Sequence, residues 1–222
     1  MLYTFAVVRS PLKAVPDGAS EHGHYFGGPA EGLGIEAGHR FARILTLDLR
    51  DPRLSFLRLG TRRELPLVMD FAEGGIDYSM REDGSLVLHS QKESASASLL
   101  ESELPLHRVR LEPIPYEQYR AAIFASAGPD AEFLSAEDSA ALKAIGETYT
   151  QVGGSHARAS AYRPYCANPQ CDGYGGQVTQ MLATISQTPA PGVSLEFLPY
   201  DPAIEFAFCQ TCHSISGVIV PD

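Results

Sequence analysis

Cys166, Cys171, Cys209 and Cys212 are the four cysteines of the chain, and they fall into two close pairs, Cys166-Ala-Asn-Pro-Gln-Cys171 and Cys209-Gln-Thr-Cys212. A short pair with turn residues around it forms a tight knuckle that aims two thiolates at one ion, and two such knuckles complete a tetrahedron. A Cys₄ tetrahedron suits Zn²⁺ by ligand softness, and it has no open position, so its role is structural rather than catalytic. Iron fits the same donors, and spacing does not separate the two metals. Four unrelated core thiols are the plain alternative, because free cysteine is often buried. The pairing of every cysteine in the chain favours one bound Zn²⁺.

The same residues admit three other chemistries. Cys209-Gln-Thr-Cys212-His213 spells the C-x-x-C-H pattern of c-type haem attachment. Only a short tail follows it, and Ile204 to Phe208 alternates like a strand, so the surroundings argue against haem. A thioredoxin-like pair sits at a strand-to-helix junction, whereas Ser214 to Val220 reads as a strand. His213 or His156 as a substitute ligand is the third, but adjacent Cys212 and His213 rarely ligate one ion together.

Elsewhere the chemistry is thinner. His22-Gly-His24 places two imidazoles two residues apart, without a third ligand of evident spacing. Ser155-His156 sets a hydroxyl beside an imidazole, but a nucleophile–base pair needs spatial geometry and an orienting acid. The carboxylates Glu36, Asp48, Asp70 and Glu205 are scattered, and Asp48 and Asp70 at strand ends are expected to face water. No G-x-S-x-G elbow, P-loop or dinucleotide fingerprint occurs.

The chain of 222 residues is 44% hydrophobic and 20% charged, which supports a sizeable core, and its formal net charge is −10. An acidic chain is a poor phosphate-backbone or anionic-membrane binder. It suits plain solubility or a basic protein partner. The opening Leu2 to Arg9 lacks a signal peptide's basic start and reads as a strand. The expected compartment is the cytoplasm, where thiols stay reduced and clustered cysteines point to metal.

The elements around the cysteines are mostly short strands. Residues 10–39 read as a long Gly- and Pro-rich loop. Strands are expected at Phe41 to Leu49, Leu54 to Leu59, Leu65 to Phe71, Ile76 to Met80, Ser85 to His89 and Leu106 to Leu111. Asp83-Gly84 marks a hairpin turn, and Gln91 to Glu103 reads as a surface excursion. Helices are expected at Tyr116 to Ser126, with Tyr116, Tyr119 and Ile123 on one face, and from Ser135 to about Glu147. There Ser135 and Asp138 form a capping box, and Leu142 and Ile145 face the core. Strands return at Gln177 to Ser186, Val193 to Leu198, Ala203 to Cys209 and Ile215 to Val220. The fold class is therefore α+β and β-rich, with antiparallel sheets, a zinc-knuckle staple and mid-chain helices. Residues 1–222 read as one globular protein, with an N-terminal β-unit (1–112), a helical connector (113–147) and a C-terminal β-unit (148–222) that carries the metal.

An internal echo runs through both β-units. Ile44-Leu-Thr-Leu47 resembles Leu182-Ala-Thr-Ile185, Ser55 to Leu59 resembles Ser194 to Leu198, and Leu65 to Phe71 resembles Ala203 to Cys209. Gly27-Gly28 and Gly153-Gly154 precede the two blocks. Duplication of a β-unit explains this, and chance similarity among amphipathic strands explains it equally.

Thr148-Tyr-Thr-Gln-Val-Gly153-Gly154, Pro164-Tyr-Cys166 to Cys171, Met181 to Ile185 and Phe206-Ala-Phe-Cys209-Gln-Thr-Cys212 together resemble the YwqG-like bacterial proteins of unknown function and the related programmed-cell-death-two C-terminal domain. The resemblance covers about a third of the chain. Many of those proteins carry Trp and Gln after the Gly-Gly segment, where this chain has Ser155-His-Ala-Arg-Ala and no Trp anywhere. The resemblance implies pseudo-repeated sheets without established catalytic residues, and its eukaryotic branch binds a ribosomal protein. Taken together these readings give a non-enzymatic, protein-binding module of adaptor, chaperone or immunity type, with a basic client. A hydrolase using His22 and His24 in the 10–39 loop is the alternative, and a structural accessory domain the third.

Overall fold

The computed structural model describes residues 11–16, 20–30, 33, 41–57, 59–71, 73–90, 104–126, 135–145, 149–154, 165–176, 179–186, 188–189 and 203–220. The strands are β1 (Leu12–Pro16), β2 (His24–Phe26), β3 (Phe41–Asp48), β4 (Glu64–Asp70), β5 (Gly75–Met80), β6 (Leu86–Ser90), β7 (His107–Pro113), β8 (Gln151–Val152), β9 (Thr179–Ile185), β10 (Ala203–Cys209) and β11 (Ile215–Val220). They form one antiparallel sheet in the order β4-β3-β2-β7-β1-β8-β9-β10-β11-β5-β6. The protein is thus β-rich, as its alternating apolar patterns imply. Helices α1 (Tyr116–Ser126) and α2 (Ala136–Ile145) pack on each other as a mid-chain hairpin.

The sheet is close to a palindrome about β7 and β1, and its registers repeat. Tyr25 faces Thr46 and Phe26 faces Leu45 in the β2–β3 pair; Gln151 faces Thr184 and Val152 faces Ala183 in the β8–β9 pair. The β3–β4 register shifts at Ile44, and the β9–β10 register shifts at Leu182. Each bulged residue offers its carbonyl to a glycine: Gly27 N donates to Ile44 O at 3.0 Å, and Gly153 N donates to Leu182 O at 2.9 Å. Thr46 and Thr184, aligned in the echo, occupy equivalent places. The match Leu65 with Ala203 is off by one: Leu65 opposes Leu47, and its counterpart Ile204 opposes Ile185.

The first strands are exchanged between the halves. β1 pairs with β8, while its counterpart β7 pairs with β2, and the two meet at the centre with Val15 opposite Arg110. The repeat therefore takes in β7, which lies before the helical connector in the chain. Gly27 and Gly28 have φ of 69° and 90°, and Gly153 and Gly154 have 73° and 83°. At Gly27 a Cβ would sit 2.1 Å from the Pro105 carbonyl oxygen, so only glycine fits.

The core lies on Ile44, Leu45, Leu47, Leu67, Met69, Leu111, Leu182, Ile185, Ile204 and Phe206, all fully buried. The sheet curls until β4 lies against β5 and β11. Tyr78 of β5 spans that seam: its hydroxyl donates to Pro66 O at 2.8 Å and accepts from Val68 N at 3.2 Å. Pro66 has no N–H to give, so β4 is a suitable outer strand.

Several expectations change. Residues 10–39 contain β1 and β2 rather than one uninterrupted loop. The strand expected at Leu54 to Leu59 is a 3₁₀ helix, Pro52–Leu57, burying Leu54 and Leu57. Asp51 starts it by accepting the Arg53 N–H at 2.9 Å, and Pro52 takes a first-turn position where no N–H is needed. Helix α1 has the expected limits. At α2 the Ser135 Oγ accepts the Asp138 N–H at 3.0 Å and donates to the Asp138 carboxylate at 2.7 Å. Leu2 to Arg9, Gln91 to Glu103 and Val193 to Leu198, and the side chains of Ile123, Leu142 and Ile145, lie outside the described residues.

Candidate metal centre

The first knuckle, residues 165–176, folds on itself. Cys166 bridges Tyr174, Cys171 N donates to Asn168 O, and Gly175 N donates to Cys166 O. Asn168 Oδ1 accepts the Gln170 N–H at 3.0 Å, an Asx turn that a C-x-Asn-Pro-x-C segment is built to make. The second knuckle closes β10 into β11: His213 N donates to Cys209 O at 2.9 Å and Cys209 N to Ser214 O at 2.8 Å. His213 carries φ of 60°, which lets the turn close within so few residues.

The two knuckles bring all four Sγ atoms within 4.8 Å of one another. The Cys166–Cys212 sulfurs are 3.6 Å apart and the Cys171–Cys209 sulfurs 3.9 Å. A tetrahedral ion with metal–sulfur bonds of about 2.3 Å separates its ligands by about 3.8 Å. Backbone N–H groups already point at the sulfurs, Gly173 N at Cys171 (3.3 Å) and Thr211 N at Cys209 (3.4 Å). Such donors favour thiolates. Cys166, Cys171 and Cys209 are buried and Cys212 is partly exposed; all four thiols are free of disulfides.

Ionisation within the cluster is uneven. Burial opposes the Cys212 thiolate, but hydrogen bonds from Ser214, with those of the neighbouring thiols, outweigh it and pull its pKa down to about 6. At Cys171 the Gly173 N–H favours the thiolate, yet burial and three surrounding sulfurs push its pKa up to about 12. Four anionic sulfurs at this spacing repel one another, and a divalent cation relieves that. The described residues thus contain a four-cysteine group that can hold a metal ion. His213 is outside the ligand set. Burial lowers its pKa, and the charge of Arg62 lowers it further.

Compared with known protein families, with curated proteins and with solved structures, the chain matches none.

His24 is placed elsewhere, in a buried polar cluster that sequence patterns did not reveal. Asp48 N donates to His24 Nδ1 at 3.1 Å, so the ring proton sits on Nε2, which donates to Asp51 Oδ2 at 3.1 Å. Both ring nitrogens are occupied and the side chain is fully buried. It is therefore neither a loop residue nor a ligand poised with His22. Burial lowers the His24 pKa, against the pull of Asp51 and Asp48. Arg53 clasps Asp51 through Nε at 2.8 Å and Nη2 at 2.6 Å, and its Nη1 donates to Leu111 O. Arg50 clasps Asp48 in the same manner, at 2.9 and 2.7 Å. Asp48 also accepts from Gly23 N. Arg50 holds the Asp48 carboxyl down at about 2 despite its burial. The readable signal was the tandem Asp-x-Arg of Asp48-Leu-Arg50-Asp51-Pro-Arg53, in which each acid can bind its own arginine two residues on.

Asp48 and Asp70, expected to face water, are buried, as is Glu205. Ser155, His156 and Glu36 lie outside the described residues.

Proposed function

We propose that this protein is a non-enzymatic binding module whose C-terminal strands are stapled by one structural Zn²⁺ and whose acidic surface receives a basic protein client in the cytoplasm. The observation that carries this reading is the closure of the centre. Four sulfurs use every position of a tetrahedron, leaving none for substrate or water. The histidine–aspartate pair supports it, since His24 and Asp51 are sealed from solvent and saturated by each other, Asp48 and Arg53. The net charge of −10 supplies the attraction for a cationic client. The resemblance to YwqG-like proteins and the programmed-cell-death-two C-terminal domain belongs to the same proposal.

Two measurements test it. Elemental analysis of purified protein is expected to give about one Zn²⁺ per chain, with iron or no metal as the contrary result. A pull-down from lysate is expected to retain a basic protein at low salt and lose it at high salt, because charge-driven contacts are screened over about 8–10 Å at physiological ionic strength. Absence of any partner at low salt counts against the binding role and leaves the metal reading standing.

A further inference from the structure

We infer that the four-cysteine centre is a peroxide-responsive site whose thiols close into two disulfides across the knuckles, Cys166–Cys212 and Cys171–Cys209, releasing the bound metal. The release step rests on the metal reading above; the disulfide pairing rests on the sulfur positions alone. Two observations carry it. First, sulfurs of opposite knuckles lie at hydrogen-bond distance, at 3.6 Å for Cys166–Cys212 and 3.9 Å for Cys171–Cys209. Each must shorten to about 2.05 Å to form a disulfide, a movement the knuckles can share as each oxidised sulfur ceases to be a metal ligand. Second, Cys212 is the one partly exposed member of the set, the other three being buried. An oxidant arriving from solvent therefore meets the sulfur that already touches Cys166.

The chemistry balances with hydrogen peroxide as the oxidant. The Cys212 sulfur attacks one peroxide oxygen, the O–O bond breaks, and hydroxide leaves to be protonated to water, giving a sulfenic acid. Cys166 Sγ then attacks Cys212 Sγ, the S–O bond breaks, and the second oxygen leaves as water. One peroxide has been reduced and two thiolates oxidised. Losing two thiolate ligands frees the ion. Cys171 and Cys209, no longer coordinated, consume a second peroxide in the same way. The sum is one Zn(thiolate)₄ centre, two peroxides and four protons giving Zn²⁺, two disulfides and four waters.

The pairing has a structural consequence. Both disulfides tie residues 165–176 to the turn after β10, so the connection made by the metal survives its loss in covalent form. A disulfide within either knuckle, Cys209–Cys212 for instance, discards that connection.

The test uses the full-length, metal-loaded protein, titrated with hydrogen peroxide. Released Zn²⁺ is followed with a chromogenic chelator, and disulfides are assigned by peptide mass spectrometry with fragmentation between the cysteines of each linked peptide. The expected result is one Zn²⁺ released per two peroxides, both links running between knuckles, and a Tm above that of reduced, chelator-stripped protein. Links within a knuckle, sulfinic acids without disulfides, or thiols that resist peroxide overturn the inference. Protein purified without metal that still forms the two cross-knuckle disulfides upholds the pairing while removing the zinc reading. Metal-loaded protein that is inert to peroxide does the reverse.

Discussion

The end of β4 and the end of β10 are the same place in two copies of one backbone. Strand β4 finishes at Asp70, followed by Glu73 and by Gly74 with φ of 69°; β10 finishes at Cys209, followed by Cys212 and by His213 with φ of 60°. Registers, bulges and glycine elbows agree on either side of the central pair. The chemistry does not agree. The second copy places thiols at these positions and adds the Cys166–Cys171 knuckle to complete a four-cysteine group that can hold a metal. The first copy places carboxylates there and is locked instead between β2 and the 3₁₀ helix, by His24, Asp48, Asp51 and the two arginines. One backbone thus tolerates two kinds of fastening. A metal joins distant segments with four short side chains. The charge cluster needs five side chains with matched donors and acceptors, because an unmatched buried charge is costly.

The largest way to break this comparison is at the metal. Cys209→Ser is expected to abolish metal binding and unfold the C-terminal strands, since structural zinc contributes on the order of 10 kcal/mol of apparent folding free energy. Metal analysis with a urea melt checks it, and a variant that melts like the parent removes the staple from the argument. Next is the charge lock. Asp51→Ala leaves Arg53 and His24 without their shared acceptor, and a loss of about 3–5 kcal/mol is expected in the same melt, with metal content unchanged. Acid acts on that lock in two stages. The folded pKa of His24 is depressed, so its contribution is complete above about 6.5 and declines as pH falls below that value. Asp48, held at about 2, contributes above its ordinary 3.8 and loses that contribution as pH falls between those two values. Replacing His24 with Gln is expected to flatten the upper stage in stability measured against pH and to leave the lower one. The smallest effect sharpens the correspondence itself. His213→Gly, which gives β10 the residue that β4 already has, is expected to stabilise the chain by about 1 kcal/mol by relieving a left-handed backbone.

The four-cysteine cluster was legible because its members sit in two short pairs, and local spacing carried the information. Strands β3, β4, β10 and β11 were legible through apolar runs, and α1 and α2 through helical spacing and the Ser135 cap. The echo of Ile44 to Leu47 in Leu182 to Ile185 was readable too, but its bulges were not, since a register shift is a property of two paired strands. Strand β2 is three residues long and flanked by glycines, so no alternation identifies it. The 3₁₀ helix was mistaken because Leu54 and Phe56 alternate as in a strand; the buried pair is Leu54 and Leu57, at helical spacing. The His24 cluster joins position 24, the segment 48–53 and position 111, and no local pattern links those three to one another.

The exchange of β1 and β7 bears on when the chain can fold during its synthesis. Leu12 pairs with Pro113 and Val152, so β1 has neither of its ladder partners until residues far along have left the ribosome. Strand β2 gains β3 early but waits for β7 on its other side, and β5 gains β6 early but waits for β11. Strands β2, β3 and β4 can pair early, but the other edge of β2 stays open until β7 is made. Such long-range pairing slows folding and leaves strand edges open to other chains. Neither half owns the centre of its own sheet, so β1 stays half-paired until the ribosome has delivered Gln151 and Val152.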